Sequence, residues 1–228
     1  VMIMDGCTED RFLRDTKDHT MSVIFDDGVN RHISFTNNGS SCYRFDLTTW
    51  EGHLCISGDM GTYVFRRLTD MFMFFRTDKN DFNYNKEGIS INAGYWAEKL
   101  QSEKSYYKGM EFSEDMVMKS ITDHAKGIAE DYSDEYEDYT DQSGDKFDSG
   151  EDFINAFTSE VDDHFQYRDM DEVRYVSAVD DFSSEIIPNL NFTDCWEWLD
   201  AHNYTFHYIW CLYAIAWGVA EYDKSKES

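Results

Sequence analysis

The charge along this chain changes abruptly at two places, and that step restricts its folding more than any other feature. Residues 1–110 hold 16 acids and 13 bases, residues 111–200 hold 27 acids and 5 bases, and residues 201–228 hold 3 acids and 2 bases. Nearly all of the net charge of −26 therefore falls in the middle block. Like charges at that density repel, so a packed structure must keep the carboxylates outside and bury an apolar stripe within each element. Three regions are expected: an α+β domain over 1–110, a strongly acidic helical region over 111–200, and an apolar helix over 201–228. The last of these packs back on the core or on a partner subunit. A hydrophobic fraction of 41% and an aromatic fraction of 17% argue against global disorder.

The same charge narrows the function classes. An acidic surface repels phosphate, which argues against direct binding of nucleic acid and against docking on anionic membranes. The longest apolar stretch, Phe206 to Ala220, contains His207 and is shorter than the ~20 residues a membrane span needs. The first residues, Val1-Met-Ile-Met-Asp5, lack the basic flank and apolar core of a secretory signal. Five widely spaced cysteines without a Cys-x-x-Cys pair point to a reducing cytosol rather than a disulfide scaffold. No cofactor fingerprint is present, and Gly58-Asp-Met-Gly61 reads as a tight turn.

Periodicity gives the elements. Thr8 is placed to cap a short helix, with Glu9 and Asp10 at its positive end. Alternating runs predict strands at Met21–Phe25, His32–Phe35, Tyr43–Trp50, Leu54–Ser57 and Tyr63–Arg67, with Met21, Val23 and Phe25 sharing one face. The separators Asp27-Gly28, Asn37-Asn-Gly-Ser40, Glu51-Gly52 and Gly58-Asp-Met-Gly61 suit hairpin turns. Thr69 is expected to cap a short aromatic helix over 70–76. From residue 88 the period becomes helical: about 90–103, then a helix capped by Ser113 and using Val117, Ile121, Ala125 and Ile128, then one from Ser149 using Phe153, Phe157, Val161 and Phe165. After the break at Pro188, Thr193 is expected to cap 194–201. A last helix, 204–222, is apolar on nearly every side. The fold class is thus α+β, an N-terminal antiparallel β meander packed with C-terminal helices.

The densest chemical feature is Glu130 to Asp152, with eleven carboxylates, one lysine, and Tyr132, Tyr136 and Tyr139 interleaved. It admits three readings. A solvated acidic loop is the plainest. Calcium binding fails on spacing, because a loop beginning at Asp141 has Lys146 sixth and Asp152 twelfth, and one beginning at Asp145 has Phe147 third and Ala156 twelfth. The third reading is mimicry of nucleic acid, in which carboxylates on ordered elements occupy a basic groove built for phosphates. Asp134, Glu135, Glu137 and Asp138, continued by Asp162, Asp163, Asp169, Asp171 and Glu172, are the candidate target-binding acids.

Other constellations are thinner. His207 lies four residues before Cys211, a possible two-ligand metal pair, but the spacing supplies no further ligands, so neither a metal nor another cofactor is expected. Cys42 and Cys55 are expected to face each other as free thiols across a hairpin. No catalytic residues are assigned. Trp210, Tyr213 and Trp217 on the apolar C-terminal helix are core residues or, because such a helix needs cover, a self-association surface in a homodimer or larger assembly.

Three stretches, Gly58-Asp-Met-Gly-Thr-Tyr-Val-Phe65, Asp70-Met-Phe-Met-Phe-Phe-Arg76 and Ile209-Trp-Cys-Leu-Tyr-Ala-Ile-Ala-Trp-Gly218, resemble an uncharacterised family of tailed-phage and prophage accessory regions. Asp26-Asp-Gly-Val-Asn-Arg-His-Ile33 and Asn92-Ala-Gly-Tyr-Trp-Ala-Glu-Lys-Leu100 fit the same pattern, and the acidic middle does not. The resemblance carries no catalytic residues over. Phage accessory loci often encode inhibitors of host defence, so it implies a non-enzymatic anti-defence protein of the host bacterial cytoplasm. Its partner would be a CRISPR effector complex, a restriction enzyme or a Gabija-type nuclease, kept from DNA. The alternative is a phage enzyme or metal-binding protein acting on nucleotides or signalling molecules. A third possibility is a structural or regulatory phage protein whose acidity serves solubility.

Overall fold

The structure, a computed structural model, describes residues 6–76, 88–103, 107–165 and 170–227. It divides into two compact units, Val1–Glu111 with Tyr204–Ser228, and Phe112–Asn203. The chain leaves the first unit through β6 (Met110–Phe112) and returns through β7 (His202–Tyr204), two strands that pair with each other.

The first unit is built on five antiparallel strands in chain order, β1 (Thr20–Asp27), β2 (Asn30–Thr36), β3 (Phe45–Trp50), β4 (His53–Gly58) and β5 (Gly61–Arg66). Gly28 and Gly52 close two of the hairpins at φ of 64° and 76°, where a side chain would strain the turn. Alternation then sorts the sheet into an inner and an outer face. Ile33–Leu47–Ile56 and Arg31–Thr49–Leu54–Phe65 are cross-strand rows on the inner face, and all of these residues are buried. The architecture is α+β.

β1 departs from the alternation expected of it. A β-bulge between Val23 and Phe25 leaves Ile24 without a partner in β2. Met21 and Val23 pair with inner-face Phe35 and Ile33, but Phe25 pairs with His32 on the outer face, and Asp26 is turned inward opposite Arg31. One extra residue flips everything after it. As the edge strand, β1 leaves Val23, Ile24 and Phe25 exposed.

Helices cover the inner face. α1 (Glu9–Thr16) is capped by Thr8, whose side chain accepts from the Arg11 N–H. α2 (Met71–Phe75) buries Met71, Phe72 and Phe75, and its cap is Asp70 rather than Thr69. α3 is only Ala93–Ala97, shorter than the helix predicted over 90–103. The rest of that segment satisfies the open edge of β5 instead: Arg66 N–H donates to Lys99 O and Gln101 N–H to Val64 O. The last helix, α7 (Phe206–Glu227), begins two residues later than expected, because Tyr204 belongs to β7. It runs against the sheet so closely that Gly218 meets Leu47 and Phe35.

The second unit is helical. α4 (Glu114–Tyr132), capped by Ser113, and α5 (Gly150–His164), capped by Ser149, place Val117, Ile121, Ala125, Ala129, Phe153, Phe157 and Val161 in one core. Tyr175 and Val179 of α6 (Glu172–Asp180) join them, as do Phe182, Ile186, Ile187 and Phe192. The helix expected over 194–201 is a single 3-10 turn, Cys195–Glu197, preceded by Asp194 in the left-handed region at φ 57°. Among the described residues no helix is long and apolar enough to cross a membrane.

Candidate acidic interaction surface

α4 and α5 form an antiparallel hairpin: Gly150 packs on the Ser133 carbonyl, and farther along Thr122 Oγ1 donates to Asp162 Oδ1 at 3.3 Å. Their apolar stripes face inward, so their acids face out. On α4 the acids are partly neutralised at helical spacing, Lys119 with Asp123 at 2.6 Å and Lys126 with Glu130 at 3.8 Å. α5 differs. Its exposed Glu151, Asp152, Asp162 and Asp163 have no cationic partner among the described residues.

The acidic segment between the helices is anchored. Ser133–Asp138 is a 3-10 turn that exposes Asp134, Glu135, Glu137 and Asp138. Tyr136 and Tyr139 are half-buried against the core, the latter 5.2 Å from the Phe153 ring. The following turn is closed by Asp141, whose Oδ1 accepts from the Ser143 and Asp145 N–H groups at 2.9 Å. Lys146 donates its ammonium to the Glu137 carbonyl oxygen, and Thr140 bridges to Lys146. A kink at Glu135, whose φ of −105° and ψ of 19° lie outside the helical range, divides the carboxylates of 134–138 between two short turns. Partial burial, then Glu135 and Asp138, hold the Tyr139 hydroxyl above its ordinary range.

The nine candidate acids do not form one cluster. The four on the 3-10 turn adjoin Glu151 and Asp152 at the start of α5, whereas Asp162 lies twelve residues past Gly150, about 18 Å along the helix. Asp171 caps α6 by accepting from the Arg174 N–H at 3.0 Å. Glu172 is half-exposed with its carboxylate 3.7 Å from His202 Nε2. Asp169 lies outside the described residues. Glu151 and Asp152 were not singled out from sequence, although the Ser149 cap just before them signals a first turn rich in acids.

The aromatic residues proposed for self-association are engaged within their own unit. Trp210 is fully buried, donates Nε1–H to Asp15 at 3.2 Å and meets Phe12 and Phe45 edge-on, so it offers nothing to a second copy. Tyr213 and Trp217 are half-buried against Phe12, and Trp217 also against Phe35. The sheet and α1 cover one side of this helix, and Tyr213 and Trp217 stay half-buried. The possible metal pair separates: His207 is exposed, whereas the Cys211 thiol is buried and directed at Met60 O. Cys42 and Cys55 also do not face each other, since Cys42 precedes β3 and Cys55 pairs across to Thr48 and Val64.

The second unit also has a shallow concavity of about 290 Å³ lined by Met116, Lys119, Ser120, Asp123, His124, Trp198 and Asp200. His124 stacks flat on Trp198 at 3.9 Å, and burial pulls its imidazole below the ordinary value. Ser120 Oγ donates to Trp198 O and accepts from Asp200 N–H, so its hydroxyl ties two chain segments together. No local pattern links these residues, which are up to 84 positions apart. Among the described residues no group of three or more His, Cys, Asp or Glu side chains is arranged to hold a metal ion. Compared with known proteins, the chain matches no family model, no curated protein and no solved structure.

Proposed function

We propose that this chain is a phage-encoded inhibitor that binds a host DNA-processing defence complex directly and keeps DNA out of it. The observation that carries the reading is the unneutralised row of carboxylates on anchored elements, Asp134, Glu135, Glu137 and Asp138 with Glu151 and Asp152 beside them. Acids held in place on anchored turns meet a basic groove without first paying the ordering entropy of a free loop. Asp162 and Asp163 add a second acidic patch on α5, about 18 Å or just over three turns beyond Gly150.

The test uses purified CRISPR effector, restriction and Gabija-type nuclease complexes, each assayed for DNA cleavage with the full chain added. Inhibition of one of them is expected, relieved by excess duplex DNA and weakening steeply with salt, since exposed charges are screened within ~10 Å at 0.1 M. Replacing Asp134, Glu135, Glu137, Asp138, Asp162 and Asp163 by Asn or Gln should abolish it while circular dichroism shows the fold intact. Undiminished inhibition by that variant, or no inhibition of any complex, would refute the reading.

A further inference from the structure

Most arginines of the first unit are matched to a carboxylate: Arg11 to Asp15, Arg31 to Asp70, Arg44 to Asp46 and Arg76 to Asp223. Arg67 is exposed and faces no carboxylate within 4 Å among the described residues. It lines a cavity of about 250 Å³ together with Arg76, Phe74, Tyr95 and Trp96. The rings are arranged as surfaces. Phe74 and Tyr95 lie 5.7 Å apart, and Trp96, 4% exposed, is fixed edge-on by Phe75 at 4.8 Å. Lys99 Nζ sits 4.6 Å from the Tyr95 ring and is itself paired with Glu98 at 2.8 Å, so Arg67 remains the unmatched cation of the site. Tyr95 and Met73, at 41% and 59% exposed, leave apolar area open at the rim.

This combination selects its ligand by three physical requirements. Open aromatic surface favours a planar ring, which stacks at offset or tilted angles. An uncompensated guanidinium favours a carboxylate or phosphate that it can hold through two parallel N–H bonds. The volume lies just below the 300–1,000 Å³ of sites for drug-sized molecules, so one ring system with one acidic group fills it. A polyanion is disfavoured, because the chain's net charge of −26 repels it at long range, whereas a single phosphate or carboxylate carries at most two charges and is repelled less. We infer that this cavity binds a small planar aromatic molecule bearing a single phosphate or carboxylate, its ring on Tyr95 and Phe74 and its acid on Arg67. The site is separate from the acidic surface, all of whose residues belong to the other unit.

Isothermal titration of the full chain tests this with two probes, AMP for the phosphate arm and 4-hydroxyphenylacetate for the carboxylate arm. One or both should saturate at one per chain, with adenosine and inorganic phosphate at least about tenfold weaker, because each lacks half of the recognised chemistry. Arg67→Gln should weaken binding about tenfold or more, the scale of a charge-assisted hydrogen bond. Arg14→Gln, at an exposed arginine of α1, should leave it unchanged. Tyr95→Leu should also weaken binding, and decides the matter should Arg67→Gln lower the melting temperature. Failure of both probes to bind at millimolar concentration, equal losses in Arg14→Gln and Arg67→Gln, or full affinity in Tyr95→Leu overturns the assignment.

Discussion

Arg31 shows how much a single side chain carries here. It points from β2 into the inner face, 7% exposed, and donates to both oxygens of Asp70 at 2.8 and 3.1 Å. Its guanidinium lies 4.6 Å from the Phe72 ring, and its Nε–H reaches the Tyr222 hydroxyl at 3.4 Å. Asp70 also caps α2, while Asp26, turned inward by the bulge, accepts from Tyr222 and Lys226 at 2.9 and 2.7 Å. One cation thus joins β1, β2, α2 and α7. Arg31→Ala strands carboxylates that are mostly buried, and should cost about 3–5 kcal/mol in urea unfolding. Arg31→Lys keeps the charge without the two-pronged geometry and should cost less. A loss below about 1 kcal/mol for Arg31→Ala would show that the network is incidental. The pH dependence has a definite sign. Lys226, followed by Tyr222 after an opposing burial effect, holds Asp26 below the ordinary carboxylate value. For Asp70 burial pushes upward but is outweighed by Arg31 and the Phe72 N–H. Both carboxyls are therefore more acidic folded than unfolded. Their contribution is complete above the unfolded value near pH 4 and is lost as pH falls through the folded values. Acid unfolding of Arg31→Ala should accordingly depend less on pH than that of the unaltered chain.

At the scale of elements, two helical glycines separate propensity from packing. Gly127, within α4, has nothing within 4 Å of where a Cβ would sit, so Gly127→Ala should gain about 0.5–1 kcal/mol of helix stability. Gly218, within α7, has Leu47 at 2.8 Å and Phe35 at 3.1 Å from that position. The same propensity gain there meets an overpacking cost of about 1–3 kcal/mol, so Gly218→Ala should be net destabilising. Thermal melts of the two variants should move in opposite directions; movement in the same direction would mean that α7 can retreat from the sheet. These contacts explain which elements were legible. The five strands announced themselves by alternation and turn residues, and α4 and α5 by their caps and stripes, because those signals are local. What failed depended on a distant partner. Nothing around Ile24 marks a bulge; its reason is Asp26 reaching Arg31 and Tyr222. The 90–103 segment carries a helical pattern, yet its second half pairs along the open edge of β5. Trp210 reads equally as core or interface until Phe12, Phe45 and Asp15 are seen around it.

Over the whole molecule the charge follows the division into compact units, with 26 acids and 5 bases in residues 112–203 against 20 and 15 in the remainder. That division was readable because charge blocks need no tertiary information. The pairing of acids with lysines on α4 and its absence on α5 had to come from geometry. The cavity at Arg67 was not readable, since its walls come from two separate stretches, 67–76 and 90–96, whose aromatic positions look like ordinary core. The charge split has a thermodynamic consequence. Carboxylates on the surface of the second unit repel one another in the folded state more than in an expanded chain, which lowers its stability at low ionic strength. Salt screens that repulsion once its range falls below the spacing of the acids, about 10 Å at 0.1 M and about 3 Å at 1 M. In the first unit salt has less to remove, because its strongest pairs are favourable and Arg31–Asp70 is shielded from solvent. Amide hydrogen exchange at 0.02 M and 0.5 M sodium chloride should therefore separate the units. Protection of the buried turns of α4 and α5 should rise with salt, whereas that of β2, β3 and α7 should stay nearly constant. Sodium sulfate at matched ionic strength serves as the control, since it strengthens apolar burial everywhere and should raise both sets together. If sodium chloride raised both units equally, the stabilisation would be a general solvent effect. The acidic surface would then hold its charge at little cost, through pairing or counterions that its exposed carboxylates give no structural reason to expect.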